Sequence, residues 1–203
     1  MRIASITLAI ISLTQPLAAH GAGKATYDFK DPKSLNSVML VLDSPIEPMV
    51  AIATGVSGSL DFDPANPGAT VGKIVVDAAS VQFPNPGITA TAHGPDGFDV
   101  PKFPTIEFVL REVKKVRKSG GTYTGTVTGD FTCRGITKRL TVEATLTHLP
   151  GKAAERHRSG SDLLVLRSTF KIHRRDFGIK PRKGDEALAE EIEVRLGLAG
   201  AAP

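Results

Sequence analysis

The sequence predicts an all-β domain, an antiparallel sandwich or up-and-down barrel of about eight strands. Two observations carry this reading. The first is a period-two alternation that runs through three consecutive segments between 105 and 147: Ile106, Phe108 and Leu110 against Glu107 and Arg111, then Val127, Gly129 and Phe131 against Thr124, Thr126 and Thr128, then Leu140, Val142, Ala144 and Leu146 against Arg139, Thr141, Glu143 and Thr145. Successive side chains of a strand point to opposite faces, so each segment has one dry face and one wet face. The second is that no helix-sized segment beyond the N-terminus repeats its apolar residues with the helical period. Ser119-Gly120-Gly121 makes the first join a hairpin, and Cys133-Arg134-Gly135 opens the second.

The other elements follow in chain order. Val38, Leu40 and Leu42 alternate with Met39 and Val41, which predicts a first strand buried on much of its surface, ending at Pro45 and Pro48. The second strand is expected over 51–62, with Gly55 and Gly58 allowing it to bend as a coiled sheet must. Asp63-Pro64-Ala65-Asn66-Pro67-Gly68 is a turn, after which Ile74, Val76 and Ala78 resume the alternation. Residues 84–104 are rich in Pro and Gly and carry no apolar periodicity, so an ordered crossover loop is expected there. Residues 150–162 read as an exposed polar loop, Leu164, Leu166, Ser168, Phe170 and Ile172 as one face of the next strand, and Ile192, Val194, Leu196 and Leu198 as the closing strand after a charged loop.

The first 22 residues have the order of a secretory signal peptide: Arg2, then an apolar run over 3–13, then Pro16 and small residues to Ala22. The run is shorter than the ~20 residues that span a bilayer. A mature start between Gly21 and Lys24 is expected, leaving 23–203 as one domain in the periplasm or outside the cell. The single Cys133 cannot form an internal disulfide, so burial and sheet hydrogen bonds must hold the fold even in an oxidising compartment. A net charge of +4, with Lys and Arg spread among 21 acidic residues, is no basic stripe and argues against a nucleic-acid partner.

Three segments also share wording with a known family. VPKFPTIEF (100–108), TGTVTGDFTCRGITKRLTVEATL (124–146) and FKIHRRDFGI (170–179) stand in the order of the K-[FY]-P-x-x-x-F, G-x-L-T-x-x-G-x-T-[KR] and [IL]-x-R-x-D-[FW]-G blocks of the YceI-like family, with Phe131 at the usual Leu. The chain resembles that family over 27–198. The resemblance implies a lipocalin-like extended antiparallel barrel in the periplasm, selects barrel over sandwich, and implies a long isoprenoid or other amphiphilic lipid inside it. Upstream of Lys102 the family's R-D-x-H-L-x-S-x-D-F-[FL] is departed from: Ile88, Thr91, Ala92 and Gly97 replace Arg, His, Leu and Phe, while Asp96 and Phe98 match. Gly94-Pro95 after His93 would break the short helix the resemblance implies.

Residue chemistry points to binding and not to reaction. The five His residues show no metal-ligand spacing, and no nucleophile elbow, phosphate loop or His-Glu-x-x-His occurs. No catalytic residue, metal or cofactor is expected. Cys133 is read as a tolerated or partly buried turn residue, although Arg134 beside it could lower the thiol pKa. The candidate ligand wall is Phe98, Phe103, Phe108, Phe131, Val142, Phe170 and Val194, since in a barrel core and cavity wall coincide. Arg174 and Asp176, in the densest polar motif, are expected as a polar clamp at a barrel end, with Gly178 permitting a positive φ. The partner class is a long apolar lipid such as an isoprenoid quinone or polyprenyl chain, and a homodimer stays open. The rival reading is an interaction module with a filled barrel, whose basic loops at 111–118 and 152–158 bind an acidic partner.

Overall fold

The computed structural model describes residues 23–156, 160–180 and 188–202. Among these residues eleven strands form one antiparallel sheet: β1 (Ala25–Asp28), β2 (Ser37–Leu42), β3 (Met49–Ala53), β4 (Val56–Phe62), β5 (Val71–Asp77), β6 (Val81–Gln82), β7 (Thr105–Ser119), β8 (Thr122–Cys133), β9 (Ile136–Leu149), β10 (Leu163–His173) and β11 (Glu191–Ala201). Eight of them close a barrel in the order β1-β4-β5-β7-β8-β9-β10-β11, sealed where Asp28 of β1 meets Ala201 of β11. The remaining ribbon, β2-β3-β6, extends from β11 through the pairs Val41–Glu193 and Met39–Arg195. Among the described residues no helix is long and apolar enough to cross a membrane.

The long β7–β9 meander follows directly from the alternation. Phe108 pairs with Phe131, Gly129 with Leu140 and Val127 with Val142, so the apolar set of each strand lands on the inner face. The β8–β9 join is a two-residue turn at Arg134 (φ 53°) and Gly135 (φ 70°), the left-handed pair that matches the twist of a hairpin. Residues 111–118 are not a loop but the outer half of β7. The register shifts between Leu110 and Glu112 and again between Lys114 and Arg117, so the inward residues run Ile106, Phe108, Leu110, Val113, Val116 and the period of two is lost.

Three further expectations are corrected. A short strand, β1, precedes the expected first one and pairs with β4 and β11. The segment expected as one strand over 51–62 is two, β3 and β4, which pair with different neighbours. The corner is Gly55, where an added Cβ would lie 2.8 Å from the Cβ atoms of Asp77 and Ser80. The 84–104 crossover contains a helix, α1 (Pro86–His93), despite the Gly-Pro pair. Asn85 caps it by accepting from Gly87 and Ile88, Pro86 occupies its first turn where no donor is needed, and Gly94-Pro95 ends it without interrupting it.

The two ends of the barrel are built differently. At the end holding the β7–β8 hairpin, Tyr27, Phe62, Tyr123 and the buried His148 form an aromatic cluster, with Phe62 and Tyr123 edge to face at 5.1 Å and Phe62 and His148 tilted at 5.8 Å. His148 Nε2 lies 3.3 Å from Asp162 Oδ2. The opposite end holds the Arg134–Gly135 turn, α1 and a 3-10 turn at Arg174–Phe177; Arg134 donates from Nη1 to the Gly97 carbonyl and so ties the crossover to the barrel rim.

Candidate functional site

Between these ends the inner faces do not meet. They bound a cavity of about 1430 Å³, a figure that includes the space at its opening. Its wall is drawn from every part of the barrel: Leu60 and Ile74 from the first half, Ile106 to Val116 from β7, Val127 and Phe131 from β8, Val142 to Leu146 from β9, Leu166 to Ile172 from β10, and Val194 and Leu196 from β11. Glu107 is the only charged residue among those described on its boundary, and its carboxylate turns to Lys73, 3.6 Å away on the outer surface. A wall of this kind offers dispersion contacts along its length and almost no hydrogen bonds, which suits a long apolar chain.

Six of the seven residues expected to line a ligand, Phe98, Phe108, Phe131, Val142, Phe170 and Val194, are on this wall. Phe103 is not. Its ring packs over the turn at Gly135, where an added Cβ would lie 2.7 Å from Phe103 Cε1, and Lys102 Nζ sits 5.1 Å from the ring centroid. The β strand following it begins only at Thr105, so no alternation places Phe103 inward.

Arg174 and Asp176 do not act as a pair: they turn to different partners. Arg174 is buried (2% exposed) and its guanidinium donates from Nε to the Ala189 carbonyl at 2.8 Å and from Nη2 to Leu188 at 3.2 Å, holding the chain that enters β11. Asp176 is exposed, its carboxylate 4.0 Å from Lys138 Nζ. The rest of the motif behaves as its residue types require. Phe177 is buried against Phe131, and Gly178 adopts φ 71°, so that its N–H and that of Ile179 close the turn onto Arg175 and Arg174.

A second chamber, about 670 Å³ with the open space at its mouth included, adjoins the first beneath α1. Leu40, Phe98, Ile179 and Ile192 border both, and the chamber adds Leu42, Met49, Ile88, Asp96, Arg174 and Lys180. Sequence reasoning missed it because its far wall is α1, which shows no apolar stripe. Cys133, expected as a tolerated or partly buried residue of the turn, is 1% exposed at the end of β8 and lines the main cavity. Burial pushes its thiol up to about 12, and Arg134 opposes this only weakly. Among the described residues no three His, Cys, Asp or Glu gather closely enough to hold a metal.

A closed antiparallel barrel around a long apolar cavity defines a lipocalin-like architecture. Within that architecture the chain belongs to the YceI-like family, whose domain model matches residues 33–199. It is 30% identical over 145 residues to a UPF0312 protein of Pseudomonas putida, covering 70% of this chain and 68% of that one. A UPF0312 protein of Yersinia pestis is 30% identical over 143 residues, with the same shares covered. Among solved structures the fold is similar to Burkholderia cenocepacia BcnA (TM-score 0.66, 21% identity, 81% of this chain and 95% of that one). It is also similar to a polyisoprenoid binding domain from Saccharophagus degradans (TM-score 0.64, 11% identity, 89% and 99%).

Proposed function

We propose that the protein is exported and binds a long isoprenoid, a quinone or polyprenyl chain or a similar amphiphile, inside the barrel, and carries it without chemical change. The observation that supports this is the cavity wall, apolar from Leu60 to Leu196 with a single charged residue at its boundary among the described residues. The name of the Saccharophagus degradans domain, a polyisoprenoid binding domain of the same fold, agrees with this class of ligand. An interaction module with a filled barrel would leave no such space. Residues 1–22 carry the signal-peptide pattern, and N-terminal sequencing of exported protein is expected to begin between Gly21 and Lys24.

Each buried methylene contributes about 0.8 kcal/mol, so chain length and not a polar anchor sets the affinity. Thermal-shift titration with prenyl alcohols of increasing length tests this. The expected result is a Tm rise that grows with each isoprene unit until the cavity is filled and then levels off. A response independent of chain length would defeat the reading.

A further inference from the structure

Both faces of the β2–β3 hairpin are apolar, although only one is used. The inner face supplies Val38, Leu40 and Ala53 to the main cavity and Leu42 and Met49 to the second chamber. On the outer face Met39 stands opposite Ile52 and Val41 opposite Val50. Ile52 is 43% exposed, Val50 40%, and Ile46 at the hairpin tip, held between Pro45 and Pro48, 75%. The outer face of the β8–β9 pair is polar along most of its length: Thr122, Thr126 and Thr128 meet Thr147, Glu143 and Thr141 through side-chain hydrogen bonds.

From this we infer that the outer face of the β2–β3 hairpin docks the protein on a neutral lipid surface, where the chain it carries is loaded or released. The inference rests on the lipid-binding reading above, because the two strands that line the chambers with one face carry the exposed apolar patch on the other. A second copy of the chain is the poorer occupant. A stable dimer buries roughly 800 Å² from each partner, and these few side chains offer only a few hundred. A shallow apolar patch with a protruding tip is enough for interfacial insertion, whose strength scales with the area immersed.

Charge selects the kind of lipid. Arg195, beside Met39 on the adjoining strand, is paired with Glu193, and Lys171 with Glu191 at 2.6 Å. The tip itself carries Asp43 and Glu47. Among the described residues the cations beside the outer face are paired and the tip is acidic, so anionic headgroups gain nothing there and zwitterionic ones are preferred.

Flotation of the mature protein with phosphatidylcholine vesicles tests the proposal against two variants, Ile46→Ser and Val50→Thr/Ile52→Thr. The wild type is expected to float, and each variant to lose vesicle partitioning by about tenfold or more. Replacing a third of the lipid by phosphatidylglycerol should not strengthen binding. The variants should still take up a long-chain polyprenol from detergent micelles as the wild type does. Ile46 is so exposed that its replacement cannot fail for want of folding. If the wild type does not float, or the variants float equally, docking is wrong. If sedimentation shows a dimer that Val50→Thr/Ile52→Thr dissolves, the face belongs to a second copy. Failure of polyprenol uptake from micelles would instead sink the lipid-binding reading itself, whatever the vesicles show.

Discussion

Phe177 packs edge to face on Phe131, with ring centroids 5.2 Å apart and planes at 77°. Through this contact the Arg174–Phe177 turn is anchored to the same side chain that forms the cavity wall. Phe131 also meets Phe170, at 6.3 Å and 76°, so one ring joins a packed neighbour to a cavity-lining one.

The two neighbours should therefore respond differently to truncation. Phe177 is 1% exposed in full contact, and Phe177→Ala is expected to cost about 3–5 kcal/mol, since a new hole is left. Phe170 borders space that is already empty, so Phe170→Ala removes fewer contacts and should cost clearly less, below about 3 kcal/mol. Urea denaturation of both variants checks the order. Equal losses would mean that the wall at Phe170 is packed.

Stability should fall in alkali through two buried acids. Burial pushes the Cys133 thiol from 9.0 up to about 12, and burial with the nearby Asp162 pushes the Tyr27 hydroxyl from 10.0 up to about 12. The folded state favours the protonated form of each. That stability is fully present below the unfolded values of 9.0 and 10.0 and is lost as pH rises toward about 12. Urea midpoints measured upward from neutral pH should decline across this window, and Cys133→Ala should flatten part of the decline. A flat wild-type profile, or rapid reaction of the native thiol with a thiol reagent at neutral pH, would contradict this placement.

Asn36 is the polar residue on which the barrel seam depends. It is fully buried, donates from Nδ2 to the carbonyls of Phe29 at 2.8 Å and Ala199 at 3.1 Å, and accepts at Oδ1 from Ala199 N–H at 2.8 Å and Arg156 Nη2 at 3.0 Å. Asn36→Ala strands these backbone groups, at about 1–3 kcal/mol for each left without a partner. Thermal unfolding should show a large drop in Tm, against almost none for the exposed Asn66→Ala.

Legibility followed the physics of each segment. Where a strand alternates, the inward and outward sets could be assigned residue by residue: Phe108, Phe131, Val142, Phe170 and Val194 border the cavity, while Thr126, Glu143, Lys171 and Arg195 are on the outer face, and only Glu107, expected outward and paired with Lys73, also touches the cavity boundary. Gly178 was readable because its motif demanded a left-handed residue. β1 was not, since four residues with one inward aromatic carry too short a pattern. α1 was hidden because its sequence, PGITATAH, has no apolar stripe and is helical through its cap. The basic half of β7 looked like a loop because its bulges break the period. Asn36 gave no signal at all: its partners, Phe29 and Ala199, are brought together only by barrel closure.

Native mass spectrometry of the protein purified gently from the envelope of its own cells, followed by solvent extraction, tests the central claim most directly. The expected result is a population heavier than the polypeptide by one isoprenoid-sized increment, lost on extraction and recovered as a prenyl lipid in the organic phase. Re-addition of that lipid should raise the Tm of the stripped protein. A polypeptide of bare mass, with an extract free of prenyl lipid and no Tm change on adding long-chain prenyl compounds, would contradict it.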